Sequence, residues 1–219
     1  MDRLHRQFVR RGDLVFDIGA HVGDRVASFR RIGAKVLAIE PQPAVAKTLR
    51  FFYGADWNIE ILETAVGRKV GDVQLMINVD NPTVSTASNA FVDAARDADG
   101  WREQQWNKSI RVPMTTLDAL IAEHGVPVFI KIDVEGFEEE VLLGLTQPVQ
   151  ALSFEFTTIQ REVAQACLDR CTALGFERFN AALGEGQQLG EWRSGTAMAD
   201  WLTKLPHDAN SGDIYAQMA

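Results

Sequence analysis

Four apolar runs in this 219-residue chain end in carboxylates. Asp17 closes residues 14–17 and Glu40 closes residues 35–40. Asp133 and Glu135 lie at the end of residues 128–134, and Glu155 near the end of residues 151–156. Short apolar runs bounded by turn residues read as strands. In an open α/β sheet, ligands sit outside the carboxyl ends of the strands, so these side chains converge on one crevice. An acidic crevice attracts a cationic group by Coulomb's law. A pair such as Asp133 and Glu135 can hold an acceptor or take its proton as general base.

Glycines narrow the choice of ligand. Gly19 and Gly23 bracket the turn after the first strand, with His21 between them. Gly19 permits a turn and a close approach to a ligand that a Cβ blocks. Glu40, 17 residues after Gly23, stands where a carboxylate accepts hydrogen bonds from both hydroxyls of a ribose. This is the layout of a pocket for an adenosine-containing cofactor. A dinucleotide site uses G-x-G-x-x-G, which rests a pyrophosphate on a helix N-terminus. Here the spacing is D-x-G-x-x-x-G, and Asp17 repels a diphosphate. The sulfonium and ammonium groups of S-adenosyl-L-methionine (SAM) suit the same carboxylate.

The elements that position these residues alternate between apolar strands and amphipathic helices, which predicts a parallel, doubly wound sheet. Strands are expected at 14–17, 35–40, 59–66, 111–114, 128–134 and 151–156, with an edge-type strand at 72–79. The last two, 176–183 and 213–218, read as an antiparallel pair. Helices are expected at 22–32, 43–54, 136–143 and 161–174. Another runs through residue 123, opened by a capping box at Thr115–Asp118. Gly33 and Gly175 read as helix stops. Residues 80–109 are polar, carry Trp101 and Trp106, and break the rhythm. They read as an excursion over the crevice, with Asn81 to Ser88 and one of the tryptophans forming part of an acceptor lid.

The length suits one domain over residues 1–219. The net charge of −8 disfavours nucleic acid as a partner, since phosphate binding needs clustered basic charge. No apolar run reaches the roughly 20 residues that span a bilayer, and no signal-peptide core is visible. A cytoplasmic protein with no membrane partner is expected. Cys167 and Cys171 lie four apart on a helix and read as buried free thiols. No ligand set for a metal is legible. His5, His124 and His207 read as solvated. Oligomeric state is left open by the sequence.

Five segments in order carry a resemblance. Asp17-Ile18-Gly19-Ala20-His21-Val22-Gly23-Asp24 is followed by Ile39-Glu40-Pro41 and by Ala65-Val66-Gly67. Thr116-Leu117-Asp118 and Lys131-Ile132-Asp133-Val134-Glu135-Gly136 complete the set. Together they resemble the FkbM-type methyltransferases over roughly residues 14–155. The resemblance implies a Rossmann-like class I methyltransferase fold: α/β, doubly wound, mostly parallel, seven-stranded, with an antiparallel edge strand. It implies SAM as cofactor and O-methylation of a hydroxyl on a sugar, a polyketide or another small acceptor. It places Asp17, Gly19, Gly23 and Glu40 on the cofactor, with Glu40 on the ribose, Pro41 beside it and Ala65 at the adenine. His21 stands where the family commonly has Asn, and a cofactor contact is the expected role for it too.

Two other readings compete. A nicotinamide-dependent oxidoreductase or epimerase lacks its third glycine, and neither Tyr53 nor Tyr215 sits in a Tyr-x-x-x-Lys pair. A non-catalytic scaffold that binds SAM, or has lost it, is the other; the intact motifs weigh against loss, and an acceptor side lined with bulky apolar groups would fit it.

Overall fold

The computed structural model describes residues 1–218. Its main sheet has seven strands in the order β3-β2-β1-β7-β8-β10-β9. These are β1 (Leu14–Ile18), β2 (Lys35–Ile39), β3 (Ile59–Leu62), β7 (Phe129–Ile132), β8 (Ala151–Thr157), β9 (Arg178–Leu183) and β10 (Ser211–Gln217). The strand order reverses between β1 and β7, which is where a doubly wound sheet opens a crevice. β10 alone runs antiparallel, paired to β8 on one side and β9 on the other. The reversed strand therefore lies one place in from the edge.

Alternating side chains supply both faces of the sheet. Phe16, Ile18, Leu37, Ile130, Ile132 and Phe154 face one core. That core is covered by α5 (Leu117–His124), α6 (Glu138–Leu143), α7 (Arg161–Ala173) and α8 (Gly195–Lys204). Val15, Val36, Phe129 and Tyr215 face the other, under α1 (Asp2–His5), α2 (Asp24–Ile32) and α3 (Pro43–Tyr53). α2 stops at Gly33, whose φ of 97° is a left-handed cap. Pro43 opens α3 at its first turn. Cys167 and Cys171 are free and buried in the α7 face.

Several sequence expectations are corrected. The run 59–66 is not one strand. Glu63 and Thr64 break it, and β4 (Ala65–Val66) leaves the main sheet to pair with β6 (Lys108–Thr115). β6 also pairs antiparallel with β5 (Gly71–Ile77), which makes a second, three-stranded sheet. The 80–109 excursion contains α4 (Asn89–Asp97), capped by Ser88 and carrying the fully buried Phe91. It buries Phe91 and Ala95, one pair four residues apart, too short a stripe to stand out within a polar segment. Thr116 does cap α5, but Asp118 turns away and accepts from Thr146 instead. His5 is 3% exposed, hydrogen-bonded to Ser28 and stacked on Phe29. Among the described residues, no helix is long and apolar enough to cross a membrane.

Candidate functional site

A cleft of about 380 Å3 opens at the carboxyl ends of β1, β2, β7 and β8. The sheet brings Asp17, Gly19, His21, Glu40, Pro41, Ala65, Asp133, Glu135 and Glu155 into it. Gly23 lies outside the lining. It caps α2 at φ 97°, and a Cβ there would meet the Tyr53 ring at 2.4 Å. Its backbone carbonyl accepts from the Tyr53 hydroxyl at 3.1 Å. Gly23 thus packs α2 against α3.

Glu40 organises the β2 end. Its Oε2 accepts from the His21 N–H at 3.0 Å and its Oε1 from the Gln42 N–H at 2.8 Å. One buried carboxylate so fixes both the turn after β1 and the entry to α3. Burial pushes Glu40 up to about 7, against the pull of those hydrogen bonds. His21 takes the left-handed φ of 47°. Burial lowers its imidazole below the usual range, so it presents a neutral ring to the cleft.

Asp17 is 1% exposed, and its Oδ2 has no hydrogen-bond partner. Burial pushes it up to about 7 despite Lys131 and Arg25 nearby. A buried carboxylate oxygen without a partner is costly. Placed on a cleft wall, it fits a ligand that brings a cationic donor, as the ammonium of SAM does. Gly19, which lines the cleft, also packs closely on its other side. At φ 85° its Cα sits so close to the chain after β7 that a Cβ would lie 1.8 Å from the Asp133 carbonyl oxygen.

The far wall holds three carboxylates, Asp133, Glu135 and Glu155, whose oxygens lie within 4.8 Å of one another. Glu135 has φ 55° and Gly136 φ 84°, a pair of left-handed residues. Glu138 Oε1 accepts from the Val134 and Gly136 N–H groups, at 3.0 and 3.3 Å, and so holds this turn from inside α6. Burial, with Asp133 as neighbour, raises Glu135 and Glu155 well above the carboxylate range. Burial alone would raise Asp133 too, but Lys131 and Arg25 outweigh it and hold Asp133 below that range.

The excursion contributes Thr83, Val84, Ser85, Ala87 and Trp101 to the lining of the cleft. Its tip pairs with β5 through Met76 and Thr86. Phe91 sits edge-on to the Trp101 and Trp106 rings, at 5.2 and 6.0 Å. The Trp106 indole N–H donates to the Val84 carbonyl at 2.8 Å. Two hydrogen bonds tie the excursion to the site. Gln42 Nε2 donates to the Pro82 carbonyl at 3.0 Å, and Thr86 Oγ1 donates to the Glu135 carbonyl at 2.6 Å.

Residues 17–202 match the methyltransferase FkbM domain model, a span that takes in the carboxylates of the cleft, the excursion and most of α8. The chain belongs to the FkbM methyltransferase family. It is a methyltransferase of the SAM-dependent class I fold. No curated protein matches the sequence. Among solved structures, the FkbM chain is similar to Aeropyrum pernix fibrillarin with natively bound SAM, at 10% identity and a TM-score of 0.50. That match covers 95% of this chain and 68% of fibrillarin. It is also similar to precorrin-6y C5,15-methyltransferase from Geobacter metallireducens, at 11% identity and a TM-score of 0.48, covering 99% and 85%. The fibrillarin likeness is one of fold.

Four residues of the FkbM site escape sequence reasoning. Gln42, Thr86 and Glu138 act through hydrogen bonds to or from backbone groups, which leave no spacing signature. Asp213 on β10 meets Lys131 behind the cleft wall, because β10 pairs with β8 as well as with β9, and the sequence pattern does not show that insertion.

Proposed function

We propose that this FkbM methyltransferase binds SAM between the β1 and β2 ends and methylates a hydroxyl oxygen of a small acceptor seated beneath the excursion. The observation that carries the reading is the partnerless Oδ2 of buried Asp17, in the same cleft as the Glu40 carboxylate. When bound, SAM supplies an electrophilic methyl group on a sulfonium centre. Glu40 receives the ribose hydroxyls, Asp17 the ammonium side, and Pro41 and Ala65 flank the nucleoside. Gly19 and His21 shape the turn that faces it. Asp133 and Glu135 hold the acceptor hydroxyl in line, and one of them takes up its proton. The excursion excludes water, and residues 1–219 work as one domain. The acidic floor also disfavours a polyanion such as nucleic acid as acceptor.

Titration calorimetry with S-adenosylhomocysteine tests the cofactor part. Binding is expected, and its absence together with binding of NAD would replace this reading by the oxidoreductase one. The pH dependence adds a second check. Asp17 and Glu40 both stand at about 7, above their unfolded values. The protonated forms thus favour the folded protein, and that contribution is lost as pH rises from about 4 through 7. A cationic ligand favours ionised Asp17, so binding has the opposite sign. SAM affinity should rise about tenfold from pH 6 to pH 8 while the unliganded protein loses stability. Asp17→Asn should flatten the affinity profile, and a profile that falls with pH contradicts the assignment.

The excursion has its own test once an acceptor emerges from screening. Trp101→Ala should raise the acceptor KM about tenfold, with S-adenosylhomocysteine affinity kept. An unchanged KM removes Trp101 from acceptor binding.

A further inference from the structure

Behind the cleft wall, one cation is buried among acids. Lys131 is 1% exposed, on the sheet face covered by α1 and α2. Its Nζ donates to Asp133 Oδ2 at 3.1 Å, to Asp213 Oδ1 at 2.8 Å and to the Ile132 carbonyl at 3.2 Å. Three donors thus meet three acceptors, which is the full capacity of an ammonium group. Strand register explains the meeting. Lys131 stands beside Asp17 on β1 and Ser153 on β8, and Asp213 stands opposite Glu155.

Three carboxylates within 4.8 Å of one another cannot all carry charge in a buried site without compensation. A buried ion pair survives only with good geometry and further hydrogen bonds. Lys131 offers both to Asp133. Neither Glu135 nor Glu155 has such a bond to Lys131.

We propose that Lys131, braced by Asp213, is a positioning residue that holds Asp133 as the one ionised acid on the acceptor side of the cleft, with Glu155 and Glu135 as proton carriers around it. This deepens the methyltransferase reading and rests on it for the identity of the acceptor side. Asp133 Oδ2 is turned back to Lys131, which fixes the side-chain angle and leaves the other oxygen for an acceptor hydroxyl. Glu155 and Glu135 then act as hydrogen-bond donors in the resting enzyme rather than as the first base. The groups facing Lys131 and Asp133 include Asp17 on β1, His5 on α1 and Arg25 on α2. Further groups are His21 in the turn after β1, Glu155 on β8, Asp213 and Tyr215 on β10, and Glu135 and Glu138 beyond β7. Burial works against the Lys131 ammonium, but the carboxylates of Asp133, Asp213 and Glu155 outweigh it and hold it charged.

The test is a side-chain carboxyl 13C NMR titration of the full chain, which needs no acceptor and no cofactor. In the wild type, Asp133 should stay ionised at pH values where Glu135 and Glu155 are protonated. A wild-type Asp133 that takes up its proton together with or before the two glutamates overturns the proposal, whatever the variants do. Lys131→Met should raise the Asp133 midpoint by at least about one pH unit, a tenfold gain in proton affinity. Lys131→Arg should restore it, because the charge is kept. An Asp133 midpoint unmoved in Lys131→Met also overturns the proposal, since a purely structural lysine leaves that midpoint alone. Calorimetry with S-adenosylhomocysteine on the same samples reports separately on the methyltransferase reading. Binding with an unmoved midpoint condemns only the role of Lys131, and a shifted midpoint without binding condemns only the cofactor site.

Discussion

Gly19→Ala is expected to destabilise the protein by about 2–5 kcal/mol and to abolish S-adenosylhomocysteine binding. Two costs add. An L-residue in the left-handed region costs about 1–2 kcal/mol. The second cost is steric, because the Cβ would lie 1.8 Å from the Asp133 carbonyl oxygen. That oxygen is backbone, fixed because the Asp133 N–H donates to the Ile18 carbonyl at 2.9 Å, and forced repacking of this kind costs about 1–3 kcal/mol or more. For a chain of this size the sum lowers Tm by about 10 °C. Gly100→Ala separates the terms. It shares a positive φ, 86°, but nothing lies within 4 Å of its Cβ, so only the conformational cost of about 1–2 kcal/mol applies. Thermal denaturation followed by circular dichroism reads both. Equal Tm losses in the two variants contradict the account, because they leave no role for the Asp133 contact.

Glu40→Ala is expected to weaken S-adenosylhomocysteine binding about 100-fold or more. A hydrogen bond to a charged acceptor contributes about 1.5–3 kcal/mol, and two ribose hydroxyls are involved in the proposed pose. Every 1.4 kcal/mol is about tenfold in affinity. The variant also orphans the His21 and Gln42 N–H groups that Glu40 holds at 3.0 and 2.8 Å, so the pocket edge loosens as well. Glu40→Gln keeps one carbonyl acceptor and should lie between the two. Calorimetry at pH 8 gives the affinities. Wild-type binding in both variants moves the ribose elsewhere.

Much of the site was legible because its acids terminate apolar runs. Asp17, Glu40, Asp133 and Glu155 each follow strand residues that are buried at the sheet centre, so their direction along the strand fixes which end of the sheet they reach. The 59–66 region was misread for a related reason. Ile59, Ile61 and Leu62 are apolar, as are Ala65 and Val66, and composition does not show that Glu63 and Thr64 carry the chain from one sheet to another. The packing of Gly23 on Tyr53 was not legible, because spacing alone does not show which side chain a glycine makes room for. His5 was misread as solvated, since the Phe29 ring and Ser28 hydroxyl that enclose it come from more than 20 residues away in sequence. Tertiary partners decided each of these, and a single sequence does not name them.

The bond from Thr86 to the Glu135 carbonyl and the packing of Phe91 on Gly136 have a consequence for exchange between relatives. A Cβ on Gly136 would lie 2.8 Å from the Phe91 Cβ, so α4 rests directly on the left-handed turn that aims Glu135. Residues 78–107 and residues 133–138 are therefore one inheritable module. A chimera that swaps the first segment to change acceptor preference must carry the second with it, or the new roof arrives over a turn it was not shaped to hold.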